Sequence, residues 1–343
     1  MEQQDILSMT LPELQAAVQE LSEPKFRAKQ IFNWLHQKRV TDFSEMTTLS
    51  LPFRERLASD FCINRLKIAK RLASSVDDTV KYLYELPDGN YVETVCMQYH
   101  HGTSLCISTQ VGCRMGCRFC ASAIAGFVRN LTPAEMLLQI YETERAQNCK
   151  ISSLVLMGIG EPLDNFDNVL RFLQLLSDPN GYGMSLRHVT VSTCGVVPKI
   201  LELAEQRLGL TLSVSLHCPN DAGRSAIMPI NRSYPIDVLL DACQTYFEKT
   251  GRRVTFEYAV MDQVNSAEQD AAALAERLKG LHAHVNLIPI NPVKERNFHT
   301  LKKTVLQFQK TLERYGIPAT IRRTLGSDIE AACGQLRRDA IQK

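Results

Sequence analysis

A chain of 343 residues with 45% hydrophobic positions can build one large core of up to about 250 residues and a small companion domain. No uninterrupted apolar run approaches the roughly 20 residues of a membrane span, and the start MEQQDILSMTLPEL lacks the basic and apolar regions of a secretory signal, so a cytoplasmic protein is expected. A formal net charge of +2 does not announce a nucleic-acid partner, which depends on local Lys and Arg clusters, and eleven cysteines in a reducing compartment call for burial, metal binding or reactivity rather than disulfides.

Residues 1–65 read as a small helical domain. Thr10 and Glu13 form a capping box around Pro12, and PKFRAKQIFNWLHQKR places Phe26, Ile31, Trp34 and Leu35 near one face. Over 66–102 the pattern turns to alternation, and KYLYELPDGNYVETVCMQY gives two strands about the turn Pro87-Asp88-Gly89, a β linker or extension. In 103–343 the runs SLCISTQ, ISSLVLMG, HVTVSTC, LTLSVSLH, RVTFEYAVM, HVNLIPI and ATIRRT alternate with helical stretches near 132–148, 165–177, 196–208, 235–249, 267–279 and 301–315. That rhythm is α/β, a parallel sheet, open or closed as a barrel, with its site at the C-terminal ends of the strands. GIGEP follows the strand ISSLVLM, Ser192 and Thr193 end HVTVSTC, His217 ends LTLSVSLH, and Asn291 follows HVNLIPI.

The sharpest chemical signal is QVGCRMGCRFC, where Cys113, Cys117 and Cys120 form CxxxCxxC. This spacing can hold three irons of one 4Fe-4S cluster and leave the fourth open to bind and activate a small molecule, S-adenosylmethionine being the obvious candidate. A structural zinc site would need a fourth Cys or His, usually in a second pair. Cys149, Cys194, Cys218 and Cys243 are isolated, and His100 and His101 could serve only by folding next to the loop. Iron–sulfur is the better reading.

With Phe119 before its last cysteine, the motif resembles the radical S-adenosylmethionine enzymes. Further runs are similar to the RlmN branch, dual-specificity RNA adenine C2-methyltransferases, and less closely to the C8-methylating Cfr enzymes: FRAKQIFNWLHQKRVTDFSEMT, YVETV, SLCISTQVGCRMGCRFCASAIAGFVRNLT, VLMGIGEPLDN, VTVSTCGVVPKI, SVSLHCPND, IMPINRSYPI, VNLIPINP and GSDIEAACGQLR. The resemblance implies a partial (β/α)6 barrel behind the helical domain and β extension, two S-adenosylmethionine molecules per turnover, and methylation of adenine C2 in 23S ribosomal RNA and of the adenosine 3′ of the anticodon in transfer RNA. It also implies an electron donor such as flavodoxin and a monomer.

Carried over position by position, the resemblance makes Cys333 the thiol that takes the methyl group, Cys106 the thiol that resolves the covalent RNA adduct by disulfide exchange, and Glu93 of VETV the base. Read without it, either cysteine is as readily a small buried apolar residue. Gly160, Glu161, Ser192, Ser215, Leu216, His217 and Asn291 are implied around S-adenosylmethionine. GIGE taken alone is equally a turn glycine beside a solvated acid. Cys194 and Cys218 stand where the family leads us to expect serine and alanine.

Basic runs that could track RNA are Lys25, Arg27 and Lys29, then Lys67, Lys70 and Arg71, Arg252 and Arg253, Lys294 and Arg296, and Arg322 and Arg323, although any one pair is more often solvated surface. Two other classes stay open at this point: a zinc-stabilised RNA-binding module without chemistry, and a radical enzyme acting on a small molecule or peptide.

Overall fold

The structure, a computed structural model, describes residues 3–291, 298–331 and 335–336. The helical segment opens as the sequence predicts. Glu13 accepts from both the backbone N–H and the hydroxyl of Thr10 at 2.8 Å, which starts helix α1 (Leu11–Glu20) with Pro12 in its first turn. Helices α2 (Phe26–Asn33) and α3 (Leu51–Asp60) follow, and a two-residue parallel pairing of Gln4–Asp5 with Phe61–Cys62 ties the segment's ends together. Ala28, Ile31 and Phe32 turn inward. Phe26, grouped with Ile31 by spacing, is 57% exposed at the first residue of its helix, with Arg27 over its ring.

Strands β1 (Lys67–Ala73), β2 (Val80–Glu85), β3 (Tyr91–Tyr99) and β4 (Gly102–Cys106) run antiparallel. The turn read at Pro87-Asp88-Gly89 joins β2 to β3 and is closed by N–H bonds from Gly89 to Leu86 and from Leu86 to Asn90. These strands are an extension of the main sheet: β4 pairs parallel to the first barrel strand on its other side. Between them and the barrel stands a separate hairpin, β5 (Gln110–Gly112) and β6 (Phe127–Asn130), whose connection carries the three clustered cysteines.

The barrel proper then alternates: α4 (Pro133–Gln147), β7 (Ile151–Leu156), α5 (Phe166–Ser177), β8 (Val189–Thr193), α6 (Val197–Glu205), β9 (Thr211–Ser215), a short α7 (Asp221–Ile227), α8 (Ile236–Thr250), β10 (Val254–Val260), α9 (Glu268–Leu278), β11 (Ala283–Pro289), α10 (Lys302–Arg314) and β12 (Ala319–Ile321). The ten strands lie in the order β12-β11-β10-β9-β8-β7-β4-β3-β2-β1, parallel from β4 to β12. Crossovers through α4, α5, α6, α8, α9 and α10 make this the partial (β/α)6 barrel expected. Helix α7, a short NDAGRSAI stretch with little apolar periodicity, was not legible in the sequence.

One apolar core runs through both parts, from Ile6, Leu14 and Phe32 of the helical segment across Leu137 and Ile140 of α4 to Leu212 and Val285 of the barrel. Polar contacts fix this joint at defined points. His36 Nδ1 lies 2.9 Å from the Tyr141 hydroxyl, Arg39 pairs with the buried Glu144, the Tyr182 hydroxyl donates to Glu144 at 2.7 Å, and Arg171 of α5 pairs with the capping residue Glu13.

His36 is fully buried, and desolvation holds its pKa down to about 4 against an ordinary 6.5. The folded state therefore favours the neutral ring, while the unfolded chain takes up a proton from about pH 6.5 downward. This contribution to stability is present above pH 6.5 and is lost as the pH falls towards 4, on the order of 3 kcal/mol in all. Thermal melts from pH 7.5 to 4.5 are expected to show this acid-side slope in the wild-type protein and a shallower one in His36→Phe. Equal slopes would remove His36 as the cause.

Candidate active site

The three clustered cysteines and most of the residues expected around the cofactor converge on one end of the parallel sheet, around an open cavity. Cys113, Cys117 and Cys120 line it from the β5–β6 connection, Gly160 and Glu161 from the end of β7, Ser192 from β8, and Ser215 and His217 from the end of β9. The cysteine loop is pinned at three places: Cys113 N–H donates to Gly126 O at 3.1 Å, Arg118 N–H to Ile227 O at 2.9 Å, and Cys120 N–H to Cys117 O at 3.3 Å.

Burial pushes the Cys113 thiol up to about 12, and it raises Cys117 well above the ordinary thiol range, with Cys120 and Cys113 adding to it. Such thiols ionise only against a metal's positive charge. Three sulfur donors on one short loop facing one cavity fit three corners of an iron–sulfur cluster and leave a fourth to a ligand in that cavity.

Gly160 has φ +110°, and a Cβ there would meet the Gln110 side chain at 2.6 Å, so this turn admits only glycine. Gln110 in turn accepts from the Glu161 N–H at 2.8 Å and donates to Asp164 and Asn130. Glu161 is buried, its pKa raised by desolvation, and its oxygens accept from the N–H groups of Leu163 (3.0 Å) and Cys194 (2.7 Å). Its carboxylate thus both lines the cavity and ties the end of β7 to the end of β8.

His217 sits at φ +58°, a strained conformation for a non-glycine residue. Asn265 holds it there by donating to His217 O at 2.6 Å and to Ala259 O at 2.7 Å. Its Nδ1 accepts from Ala259 N–H at 2.9 Å, so the remaining hydrogen resides on Nε2. Burial, and then the charge of Arg224, pull its pKa down to about 3. The ring is therefore a neutral donor, packed edge-on against Phe119 at 4.9 Å.

Two residues of the expected set stand elsewhere. The Leu216 side chain is fully buried in the main core, and its carbonyl, rather than its side chain, is engaged near the cavity. Asn291 lines an adjacent recess together with Cys106, Val95, Arg323 and Ala331, and the two cavities share Met157, Ile288, Arg322 and Leu336. Glu93 is buried on β3, 3.3 Å from Lys81 Nζ, two positions along the strand from Val95, which pairs with Cys106. Cys333 lies outside the described residues. Ala331 and Leu336, its described sequence neighbours, both line the recess, and Ser122 of the cysteine loop donates to Leu336 O at 2.9 Å.

Sequence reasoning missed Glu257, Arg322 and Arg224. Glu257 lines the cavity and accepts from Ser213 and Asn286; its signal was a lone acid within the apolar run VTFEYAV. Arg322, one of the basic pairs in the sequence, lines both cavities. Arg252, from another of those pairs, binds Leu210 O and Thr211 Oγ1 at the N-terminal ends of the strands, opposite the cavity, because it precedes β10 rather than following it. Lys294 and Arg296 lie outside the described residues.

Comparison with known proteins agrees with this geometry. Residues 4–63 match the family described as ribosomal RNA large subunit methyltransferase N-terminal domain, and residues 107–275 match the radical SAM superfamily. The chain is 50% identical over 343 residues to a protein of Alkaliphilus oremlandii named probable dual-specificity RNA methyltransferase RlmN, covering 100% of both chains. It is also 50% identical to the protein of that name from Lachnoclostridium phytofermentans, covering 99% of this chain and 96% of the relative. A crystal structure of a radical SAM methyltransferase from Sphaerobacter thermophilus superimposes with a TM-score of 0.94 at 40% identity, over 98% of this chain and 100% of the other.

Gly160→Ala is expected to lower the unfolding free energy by about 1–3 kcal/mol, through the added strain and displacement of Gln110, and to abolish retention of S-adenosylmethionine in equilibrium dialysis. A variant that melts and binds like the wild type would show that the turn accommodates a side chain.

Proposed function

This chain belongs to the RlmN family of radical S-adenosylmethionine RNA methyltransferases, and on that premise we propose that it methylates carbon 2 of adenine in 23S ribosomal RNA and in transfer RNA, at the adenosine 3′ of the anticodon, through an S-methylcysteine at Cys333. Carbon 2 is flanked by two ring nitrogens and is too electron-poor to attack a sulfonium methyl group directly. When bound, a 4Fe-4S cluster on Cys113, Cys117 and Cys120 and two molecules of S-adenosylmethionine per turnover supply the methyl group and a carbon radical able to remove hydrogen from it.

The protein's own groups do the rest in this reading. Cys333 carries the methyl carbon and, once that carbon has bonded to adenine, joins the RNA covalently to the chain. Glu93 takes the proton from carbon 2; its buried carboxylate faces the Lys81 ammonium at 3.3 Å. Once the adduct's odd electron has passed back to the redox partner that supplied it, Cys106 attacks the Cys333 sulfur, the sulfur–carbon bond breaks with its electron pair left on the methylene carbon, which takes a proton to become the methyl group of the freed base, and the resulting disulfide awaits reduction by an external thiol. His217 and Glu161 orient the cofactor from the cavity wall, and Asn291 does so from the adjoining recess. Residues 1–65, with Lys25, Arg27 and Lys29, are the proposed accessory RNA-binding domain, followed by the extension 66–102 and the barrel domain 103–343.

The observation that carries this reading is the adjacency of the two cavities. The three-cysteine loop and the recess of Cys106 share the wall residues Met157, Arg322 and Leu336, so that a cofactor on the loop and a thiol partner of Cys106 would meet across one wall.

Mass mapping of methyladenosine isomers in ribosomal and transfer RNA, from cells with and without the protein, is expected to show 2-methyladenosine lost from both. Finding 8-methyladenosine as the lost isomer would overturn the C2 assignment. Glu93→Gln is expected to slow turnover by roughly 100- to 10,000-fold. Cys106→Ala should stop after a single event with RNA covalently attached, visible as an RNase-sensitive shift on denaturing gels; turnover at the wild-type rate without such an adduct would exclude the resolution step.

A further inference from the structure

Arg224 has no part in the scheme above, yet among the described residues it is the largest fully buried side chain, at 0% exposure. It sits on the short helix α7. Its guanidinium reaches inward: Nη2 donates to Cys194 O at 2.7 Å and to Ser215 O at 3.0 Å, Nε to Leu216 O at 3.1 Å, and Nη1 to Asn231 Oδ1 at 2.9 Å. Three of these acceptors are main-chain carbonyls at the ends of β8 and β9, the wall of the cavity. Gly195 permits the approach. It lies at φ +104°, and a Cβ there would come within 3.3 Å of Nη2.

Among the described residues no Asp or Glu forms an ion pair with this guanidinium. Its charge is met instead through Asn231, whose oxygen accepts from Nη1 while its nitrogen donates to the Asp221 carboxylate at 2.9 Å. One negative group is reached through the backbone, since Cys194 gives its N–H to Glu161 and its C=O to Arg224. On the other side, the cavity wall formed by Cys194 and Ser215, whose carbonyls Arg224 holds, is shared with Cys117.

We infer that Arg224 is a positioning residue of the cofactor pocket, drawing the carbonyls of Cys194, Ser215 and Leu216 into the wall against which S-adenosylmethionine rests, and that its positive charge behind the cavity that Cys117 also lines favours the reduced, more negative state of the cluster. The inference rests on the cluster and cofactor assigned above. Carbonyls left without their donor would turn into the pocket or towards water, widening the wall. A positive charge held in a low-dielectric site stabilises an added electron on neighbouring iron.

The test compares anaerobically reconstituted wild-type, Arg224→Lys and Arg224→Gln proteins for iron and sulfide content, S-adenosylmethionine affinity by equilibrium dialysis, and midpoint potential by redox titration. Lysine keeps the charge but cannot fan out to three carbonyls, so affinity should fall about tenfold with the reduction equilibrium within about twofold of wild type. Glutamine should lose the affinity and also make reduction about tenfold less favourable, about 59 mV for one electron. Cluster-loaded variants that match wild type in affinity and potential would overturn the inference alone, whereas a wild-type protein that takes up no iron and sulfide would overturn the reading on which it rests. Should the glutamine variant fail to fold, the lysine variant decides: wild-type affinity rejects the positioning role.

Discussion

Where parallel strands end, the hydrogen-bond ladder ends too, and the last N–H and C=O groups on each strand need partners at the place where a substrate must enter. In this molecule buried polar side chains meet that demand. Gln139 of α4 exchanges bonds with both backbone groups of Ser108, at 2.9 and 3.0 Å. Asn165 donates to the carbonyls of Thr109 and Leu131, Glu161 takes the N–H of Cys194, Arg224 takes its carbonyl, and Asn265 takes those of His217 and Ala259. The cavity keeps its form because each of these side chains is itself enclosed and fully engaged, a satisfied network being rigid where a half-satisfied one would be costly. Most of the groups offered to the cavity are second uses of atoms whose first use is to finish the sheet.

The same rim sets the electrostatics. The Cys113 and Cys117 thiols raised by burial, a neutral imidazole with its hydrogen on Nε2 and an acid held by two amides make a pocket that favours an electropositive inorganic centre on one wall and a hydrogen-bonding ligand on the other. Neither the cysteine loop nor the strand ends supplies this alone. The hairpin of β5 and β6 carries the thiols across the barrel mouth, and the contact of Ser122 with Leu336 brings the C-terminal part of the chain to the same place.

The helical segment belongs to the same folded unit in the physical sense that its apolar face closes the core around α4 and α5. The ion pairs and the His36–Tyr141 contact at this joint bury charge and polarity between the two parts. A polar joint specifies one relative placement more sharply than apolar contact does.

Much of this was legible in the chain itself. Alternation of apolar runs with helical stretches determined the parallel barrel, because period and length are local properties that survive without tertiary information. The CxxxCxxC loop determined its donor set, and the capping residues Thr10 and Glu13 and the turn at Asp88-Gly89 determined their own geometry, since each bond spans only a few residues. Only the tertiary structure decided which polar residues are enclosed. Arg224 in NDAGRSAI and Glu257 in VTFEYAV differ from solvated residues only in what packs around them, Leu216 gives the cavity wall its carbonyl while its side chain goes to the core, and Arg252 falls at the wrong end of the barrel for its charge to matter to the site. Burial and direction at a strand end are set by contacts between residues tens of positions apart, and no local pattern encodes them.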